Sequence, residues 1–597
     1  MSEIDDNSQK IGIYSALEIA EVIQKALATG SAAAQEGDLE NAENVFQSVL
    51  EIDGQNSEAL NGLGVVCFAK GNLKAAEDNL RRAIENNDQN GQYHRNLGLL
   101  YLTRNRTKRA IRSLQEAVRL APDDQDSRYK LAWVHHGRGD QGKFVEELRN
   151  LVKISPDNGQ ANNDLGCYLA EKGEKEEAKE YLAAAIEADP DNADFSTNYA
   201  NTLLISGKVE RARDIFQTAF KKSPDHIEAV KGLATTERLL GNLDKAQNAV
   251  ERALNIDSKD PTVENLAGTI FKELGSYEEA IAHFNAATEL VEDFAPSISN
   301  AGMIKLLHGD WKSGFRDYEA RRFDPHVISG REAAVIEQWD GSPLKNKSIL
   351  LQSEQGFGDN IQFARFVRQI CDSAERVVLE VRPELQKLFQ SLQCSAEIIN
   401  PGENVENVDF CAPLLSLPYL MELVEENEIS GASYLATTGH GPEISIFESS
   451  DNLRVGVSWR GASAHKEDWK RSIDPNVMLA ALKIDGISLY SLDFGGDAPP
   501  SDCVDLRSFV SDFNDTAHII TKMDLVVSVD TSTVHLAGAL GQPCWALIPF
   551  VPDWRWMLER ADTPWYDTVQ LYRQPAQSDW DSVLKAIRTD LADWVAG

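Results

Sequence analysis

The stretch NGLGVVCFAKGNLKAAEDNLRRAIENND (residues 61–88) carries the pattern on which the fold prediction rests. Its small residue, turn glycine, alanine and bulky apolar residue recur every 34 residues in the first half of the chain. The turn position holds Gly37, Gly71, Asn105, Gly139, Gly173, Gly207, Gly241, Gly275 and Gly309. Glycine ends a helix readily, and a small residue lets two helices approach closely. The period therefore predicts a series of stacked helix–turn–helix units.

This period and pattern resemble the tetratricopeptide repeat. We predict a helical lead-in over residues 1–22 and repeats over 23–322, about eight of them complete and a ninth, GDWKSGFRDYEARR (309–322), truncated. Such repeats stack into an all-α superhelix whose concave face binds extended peptides or partner proteins. Asn96, Asn198 and Asn300 share one position of the first helix, and their amides offer both donors and acceptors to a peptide backbone. Solvated helix faces are the alternative interpretation.

After Arg322 the period stops, and short β-rich runs alternate with helical stretches. The predicted strands are SILLQ (348–352), RVVLEV (376–381), VDFCAPL (408–414), RVGVSW (454–459), ISLYSLDF (487–494), DLVVSVD (524–530) and CWALIP (544–549). Alternating strands and helices predict an α/β fold with parallel sheets. A Gly- and Ser-rich break at 431–450 divides the strands, so we expect two Rossmann-like lobes at 323–445 and 446–597.

Two segments have a strand, a turn and a helix start suited to an anionic ligand. The first is ILLQSEQGFGDNIQFARFV (349–367), and the second is DLVVSVDTSTVHLAGALG (524–541). Helix N-termini at the carboxyl ends of parallel strands present free N–H groups to anions. Neither segment has the glycine spacing of a dinucleotide-binding fingerprint or a P-loop.

The Gly-Asp turn of the first segment and DTSTVHLAGA of the second resemble the glycosyltransferase family that includes the ADP-heptose:lipopolysaccharide heptosyltransferases. That resemblance covers about 345–597 and implies a GT-B fold. GDWKSGFRDYE, SEQGFGDNIQFAR, HLAGALGQP and VPDWRW look like bacterial proteins that join tetratricopeptide repeats to this transferase. Some of that group are flagellin glycosyltransferases, and the layout is similar to protein O-GlcNAc transferases.

The resemblance implies roles for individual residues. Asp359, after Gly358, corresponds to the proposed general base for the acceptor hydroxyl, a role that suits a carboxylate. The alternative is that Asp359 only caps a helix. The nucleotide-phosphate loop corresponds to Asp530, Thr531, Ser532, Thr533 and His535, where hydroxyls, backbone N–H groups and a positive or neutral histidine would bind phosphate. An ordinary capped helix with a core histidine is the alternative.

The charge pattern favours an anion site independently. The stretch RVGVSWRGASAHKEDWKR (454–471) holds five cations and two acids, whereas residues 388–453 contain no Lys or Arg. A local basic stretch in an acidic surrounding suits a leaving-group phosphate. Arg460, Lys466, Lys470 and Arg471 are the candidate ligands, and the sequence does not choose among them. A solvated surface loop is the alternative.

Composition and short motifs disfavour several partners and kinds of site. The 597 residues include 94 Asp and Glu against 59 Lys and Arg, a formal net charge of −35, which disfavours nucleic acid and anionic membranes. Seven scattered cysteines without a C-x-x-C favour neither a disulfide framework nor a zinc site. The acidic start MSEIDDNSQK and the lack of a long apolar run favour a cytoplasmic protein without membrane insertion. Asp579 and Asp581 form the one D-x-D of the second half and read as a helix cap, so we expect no metal.

The expected function is a metal-independent glycosyltransferase that needs no cofactor. It would move a sugar from a nucleotide sugar to a Ser or Thr hydroxyl of a protein acceptor held by the repeats. The resemblance makes flagellin the candidate acceptor. Two alternatives stay open: transfer to lipopolysaccharide or a lipid-linked saccharide, and a non-catalytic scaffold.

Overall fold

The computed structural model describes residues 16–323, 336–444, 452–461, 468–496 and 498–596. Internal contacts divide the chain into two compact units, residues 1–206 and 207–597. The last repeats therefore belong to the same unit as the α/β part. The domain boundaries predicted at 22, 322 and 445 remain predictions.

The described part of the first unit is a series of antiparallel helix pairs. Its helices α1 to α11 are Ala16–Gln35, Leu39–Ile52, Ser57–Ala69, Leu73–Asn86, Gly91–Thr103, Thr107–Leu120, Gln125–Gly137, Gln141–Ile154, Gly159–Glu171, Lys175–Ala188 and Ala193–Ile205. Buried alanines and large apolar side chains of successive helices form its core.

The repeat pattern has a direct structural cause. Gly71 adopts a φ of 79° in the turn between α3 and α4, a conformation that favours glycine. Asn105 takes the same left-handed region in its repeat, with a φ of 56°. At the small-residue position, a Cβ on Gly64 would lie 2.7 Å from Cγ of Leu80 on the paired helix. The period thus reflects one left-handed turn and one tight helix contact per unit.

The second unit begins with further helices of the same kind. Helices α12 to α18 are Val209–Lys222, Ile227–Leu239, Leu243–Ile256, Pro261–Glu273, Tyr277–Leu290, Ala295–Leu307 and Trp311–Tyr318. The eight-residue α18 is the truncated helix of the ninth unit, and a 3-10 turn, Glu319–Phe323, follows it.

A first α/β lobe (336–444) follows. Its strands β1 to β5 are Glu337–Gln338, Ser348–Gln352, Arg376–Glu380, Glu397–Ile399 and Phe410–Pro413, and its helices α19 to α22 are Phe357–Phe363, Val367–Ser373, Pro383–Phe389 and Leu417–Leu420. The strands form one sheet in the order β1-β5-β2-β3-β4, with every pairing parallel.

The second α/β lobe (452–596) repeats this plan. Its strands β6 to β10 are Leu453–Ser458, Ile487–Ser491, Leu525–Val529, Cys544–Ile548 and Val569–Arg573, and its helices α23 to α26 are Pro475–Leu482, Phe513–Ile520, Ser532–Ala539 and Trp580–Ala596. The strand order is β10-β9-β8-β6-β7, again all parallel. The predicted α/β class with parallel strands is confirmed.

The sequence predicted seven strands, and the described residues contain ten. The three that it missed are β1, β4 and β10. Two of them are only two and three residues long, and β10 (VQLYR) interrupts its apolar residues with the exposed Gln570. Too few apolar residues recur in these segments for a period to be recognised.

The turn ends of the last repeats contact the second lobe. A Cβ on Gly241 would meet the Trp469 ring at 2.8 Å, and one on Gly309 would lie 3.2 Å from Cε of Met557. Between them, the buried Glu273 of α15 pairs with Lys470 Nζ at 2.9 Å. These contacts involve the two loops, 468–471 and 549–557, that supply arginines to the site described below.

No helix within the described ranges is both long and apolar enough to cross a membrane.

Candidate functional site

A cleft of about 910 Å³ lies between the carboxyl ends of strands from both sheets. The first lobe contributes residues after β2 and β3, and the second contributes residues after β6, β7, β8 and β9. In the second sheet the strand order reverses between β6 and β8, and the turns after both strands line the cleft. This is where ligands bind in open parallel sheets.

The two predicted strand–turn–helix segments meet in this cleft. Helix α19 follows β2, helix α25 follows β8, and their N-terminal turns touch. A Cβ on Gly358 would lie 2.8 Å from Cδ2 of His535, so only glycine permits this approach without displacing the histidine ring. Gly358 thus has a packing role, which is compatible with the ligand-binding role predicted for it.

Asp359 lies in the cleft as one partner of an ion pair between the lobes. Its Oδ1 accepts a hydrogen bond from Nη2 of Arg555 at 2.5 Å, and its Oδ2 accepts one from the backbone N–H of Gly356 at 2.8 Å. The side chain is 20% exposed. Asp359 therefore does cap the start of α19, as the alternative interpretation expected, and it also faces the cleft.

Arg555 is a site residue that the sequence analysis did not identify. The side chain is buried and donates to Gln362 Oε1 at 2.6 Å and to Asp553 Oδ1 at 2.9 Å as well as to Asp359. Burial alone would lower its pKa, but the carboxylates of Asp553 and Asp359 raise the pKa overall. Arg555 is therefore a permanent positive charge at the cleft.

The second segment places a polar loop at the start of α25. Thr531 is the N-cap, and its hydroxyl accepts the N–H of Thr533 at 3.3 Å. Asp530, Thr531, Ser532 and Thr533 all line the cleft. Burial and the carboxylate of Asp553 raise the pKa of Asp530 to about 6, against the opposing effect of Arg471. A carboxyl group whose pKa is raised toward neutral pH is typical of functional sites.

His535 is buried in the cleft wall. Its Nδ1 lies 2.9 Å from the hydroxyl of Tyr566, and its ring stacks on Trp556 with centroids 5.3 Å apart. Burial, followed by the charges of Arg555, Arg365 and Arg471, lowers the pKa of His535 well below its usual value. Of the two forms that the sequence left open, the structure supports the neutral imidazole.

Some cations of the basic stretch 454–471 line the cleft, and another contacts the repeats. Arg460 and Arg471 line the cleft. Arg471 donates to Asp468 Oδ1 at 2.9 Å and to the backbone oxygen of Asp530 at 2.7 Å, which fixes it beside the polar loop. Arg460 pairs with the buried Asp493 at 2.6 Å.

Lys470 points in another direction. It pairs with Glu273 of α15, which Arg238 also contacts, so it does not line the cleft. Lys466 lies outside the described residues. Of the four candidate cations, the geometry brings Arg460 and Arg471 to the cleft.

The three predicted asparagines each bond to a second asparagine one repeat earlier. Asn96, Asn198 and Asn300 donate from Nδ2 to an Oδ1 at 2.9, 2.8 and 3.2 Å, and the acceptors are Asn61, Asn163 and Asn265. Each pair spans 35 residues, and the sequence analysis missed the second members because they lie one residue out of register. The amides are therefore oriented by neighbouring repeats, and their binding role remains a prediction.

The aromatic segment 551–566 packs in the interior. Trp554, Trp556 and Trp565 are buried, and Trp554 contacts Phe315 of α18 with ring centroids 5.8 Å apart. Trp554 and Trp565 pack between the ninth repeat and the lobes, whereas Trp556 stacks on His535.

Among the described residues, no group of three or more His, Cys, Asp or Glu side chains is arranged to hold a metal ion. Metal independence remains a prediction.

The helical half contains tetratricopeptide repeats. Three family models, each described as tetratricopeptide repeat, match residues 33–100 and 203–270, residues 69–225, and residues 265–293. The repeat prediction is thereby confirmed.

Several individual proteins are similar to parts of this chain. Protein FlbA of Caulobacter vibrioides is 24% identical over 365 residues, which make up 54% of this chain and 60% of that protein. The matched region thus spans less than two thirds of that relative. Pseudomonas aeruginosa PilF is 19% identical with a TM-score of 0.32, over 35% of this chain and 96% of the solved chain. A repeat-containing protein of Cytophaga hutchinsonii is 12% identical with a TM-score of 0.35, over 40% and 98%.

Proposed function

We propose that this protein is a glycosyltransferase that moves a sugar from a nucleotide sugar to a protein acceptor recruited by its repeats. The observation that carries the proposal is the cleft between two parallel sheets, where the Gly358–Asp359 turn meets the Asp530–His535 loop. This is also where the resemblance of the sequence to GT-B transferases would put donor and acceptor sites. The repeats add a surface of the kind that binds protein partners.

The second lobe holds the donor in this proposal. The first N–H groups of α25, the hydroxyls of Thr531 and Ser532, and the guanidinium of Arg471 surround one part of the cleft. Together they supply hydrogen bonds and positive charge to the phosphates as the sugar departs. His535 contributes a neutral imidazole and no charge.

The first lobe presents the base. Asp359 accepts one hydrogen bond on each oxygen, from Arg555 and from Gly356, and each oxygen keeps a second lone pair for an acceptor hydroxyl. Asp530, the other carboxyl group of the cleft loop, has a raised pKa. Asp359 therefore orients the hydroxyl and takes its proton as the transfer develops, and Asp530 is the second carboxyl group to be tested for this role.

Nucleotide binding tests the proposal first. We expect isothermal titration of the full chain with UDP, ADP, GDP and CMP to detect one ligand. Arg471→Met should weaken its binding by at least about tenfold, or 1.4 kcal/mol. The matched control is Lys470→Met, which removes the adjacent cation that pairs with Glu273, and it should change affinity by less than about threefold. Failure of every nucleotide to bind would remove the transferase proposal.

Donor affinity should depend on pH through Asp530. Because its pKa is raised to about 6, Asp530 becomes negatively charged as the pH rises from 5 to 7. A new negative charge near a bound phosphate costs on the order of 1 kcal/mol, so affinity for the donor should fall about fivefold over this range. Asp530→Asn should bind with nearly constant affinity. An equally steep pH profile for the variant would show that another group is responsible.

A non-catalytic scaffold is the second candidate function. The cleft arginines described above are already paired with protein carboxylates, so a phosphate must compete with Asp493 for Arg460 and with Asp468 for Arg471. Absence of nucleotide binding, together with capture of a protein partner by the full chain, would favour this scaffold role.

A further inference from the structure

A strongly basic surface lies in the third repeat, far in sequence from the proposed active site. The stretch RNRTKRAIR (104–112) has five basic residues and no acidic one, and no other nine-residue stretch of the sequence does. It covers the turn after α5 and the first part of α6. Lys108, Arg109 and Arg112 are exposed. Such a concentration of charge is unexpected in a chain with a net charge of −35.

One buried carboxylate organises the arginines. Glu77 of α4 is 7% exposed and pairs with Arg81 at 2.9 Å, Arg106 at 3.1 Å and Arg109 at 3.8 Å, and also with Arg104. Four guanidinium groups around one carboxylate leave three positive charges uncompensated within the cluster. Because Glu77 fixes the arginines, less side-chain entropy is lost when they bind an anion.

The start of α6 departs from the local rules for helices. Its N-cap is Arg106, which makes no side-chain capping bond, and Lys108 and Arg109 stand in the first turn. Cations there are unfavourable because the N-terminal end of a helix is the positive end of its dipole. The corresponding helices α8, α10, α12, α14 and α16 also lack a side-chain capping bond, so α6 differs from them in its three cations and not in its cap. A local conflict of this kind is typical of functional surfaces.

We propose that Arg81, Arg106, Lys108, Arg109 and Arg112, the arginine patch, dock an acidic segment of a partner protein. Carboxylates pair with guanidinium forks in the bidentate geometry that fixed arginines present. The patch is short, since Asp78 acts on Arg81 at one side and Glu116 follows Arg112 by one helical turn. Because acidic residues lie on both sides, the patch suits a few carboxylates better than a long nucleic acid. The flanking phosphates of a nucleic acid would lie against those acidic residues. This inference does not depend on the transferase activity.

Fluorescence anisotropy with a fluorescein-labelled decapeptide of glutamate tests the docking site on the full chain. Lys108→Glu with Arg112→Glu reverses two exposed charges that do not pair with Glu77, so folding should be kept. We expect this double variant to bind at least about tenfold more weakly, and the wild-type affinity to fall with added salt. The matched control reverses Lys143 and Lys153, two exposed lysines of α8, and should change affinity by less than about twofold.

Three results would overturn the docking site. The first is no binding of the peptide by the wild type at low salt. The second is an equal loss in both double variants, which would show that only overall charge matters. The third is tighter binding of a ten-nucleotide single-stranded DNA than of the peptide through the same residues, which would reassign the patch to nucleic acid.

Discussion

Replacing Asp359 by asparagine is expected to lower the rate of sugar transfer by about 10²- to 10⁴-fold, the range typical of a lost general base. Asparagine keeps the shape of the side chain and one acceptor oxygen, but it cannot take the proton of the acceptor hydroxyl. Binding of the donor should change much less, because the phosphates contact the second lobe in this account. The measurement is the transfer rate with the nucleotide sugar that calorimetry identifies, alongside donor affinity.

The matched control for this variant is Asp553→Asn. Both substitutions remove one carboxylate partner of Arg555, but only the first removes the proposed base. Transfer should therefore be retained to within about tenfold in Asp553→Asn. Equal losses in the two variants would mean that Asp359 acts only by holding Arg555. A near-normal rate in Asp359→Asn, with a loss in Asp530→Asn, would assign the base to Asp530.

Replacing Arg321 by methionine is expected to destabilise the second unit by about 3–5 kcal/mol. Arg321 is 2% exposed and joins the end of the repeats to the first lobe. It donates to Glu319 at 2.7 Å, to Glu354 at 2.6 Å and to the hydroxyl of Ser416 at 2.9 Å. Methionine fills much of the volume but leaves two carboxylates without their buried cation. Urea unfolding followed by tryptophan fluorescence measures the change.

Arg322→Met is the matched control for the stability measurement. Arg322 is adjacent, partly exposed and 3.4 Å from Glu319, so its loss should cost less than about 1 kcal/mol. If both variants unfold at the same urea concentration as the wild type, the contacts of Arg321 do not contribute to the free energy of unfolding.

The repeats could be predicted from the sequence because their causes are local. Gly71 meets a requirement of its own turn, and Gly64 contacts Leu80 only 16 residues away, so each cause recurs with the period. The α/β class was predictable for the same reason, since most strands are continuous apolar runs. The short strands β1 and β4 were not, because they depend on pairing with distant strands.

The site could be predicted only in part. The turns after β2 and β8 were recognisable, and the structure brings them together as Gly358 and His535. The pairing of Asp359 with Arg555 spans 196 residues and two lobes, and nothing in either segment alone indicates it. Likewise, adjacent residues Lys470 and Arg471 point to different partners, which a count of basic residues cannot show.

Intact-mass analysis of candidate acceptor proteins, with and without this protein, tests the proposed protein glycosylation. An acceptor, with flagellin as the first candidate, is expected to gain one or more sugar masses when the wild-type chain is present. The Asp359→Asn variant should leave the acceptor at its unmodified mass. If every candidate acceptor stays unmodified with the wild type, or gains the same mass when the protein is absent, this protein does not glycosylate them.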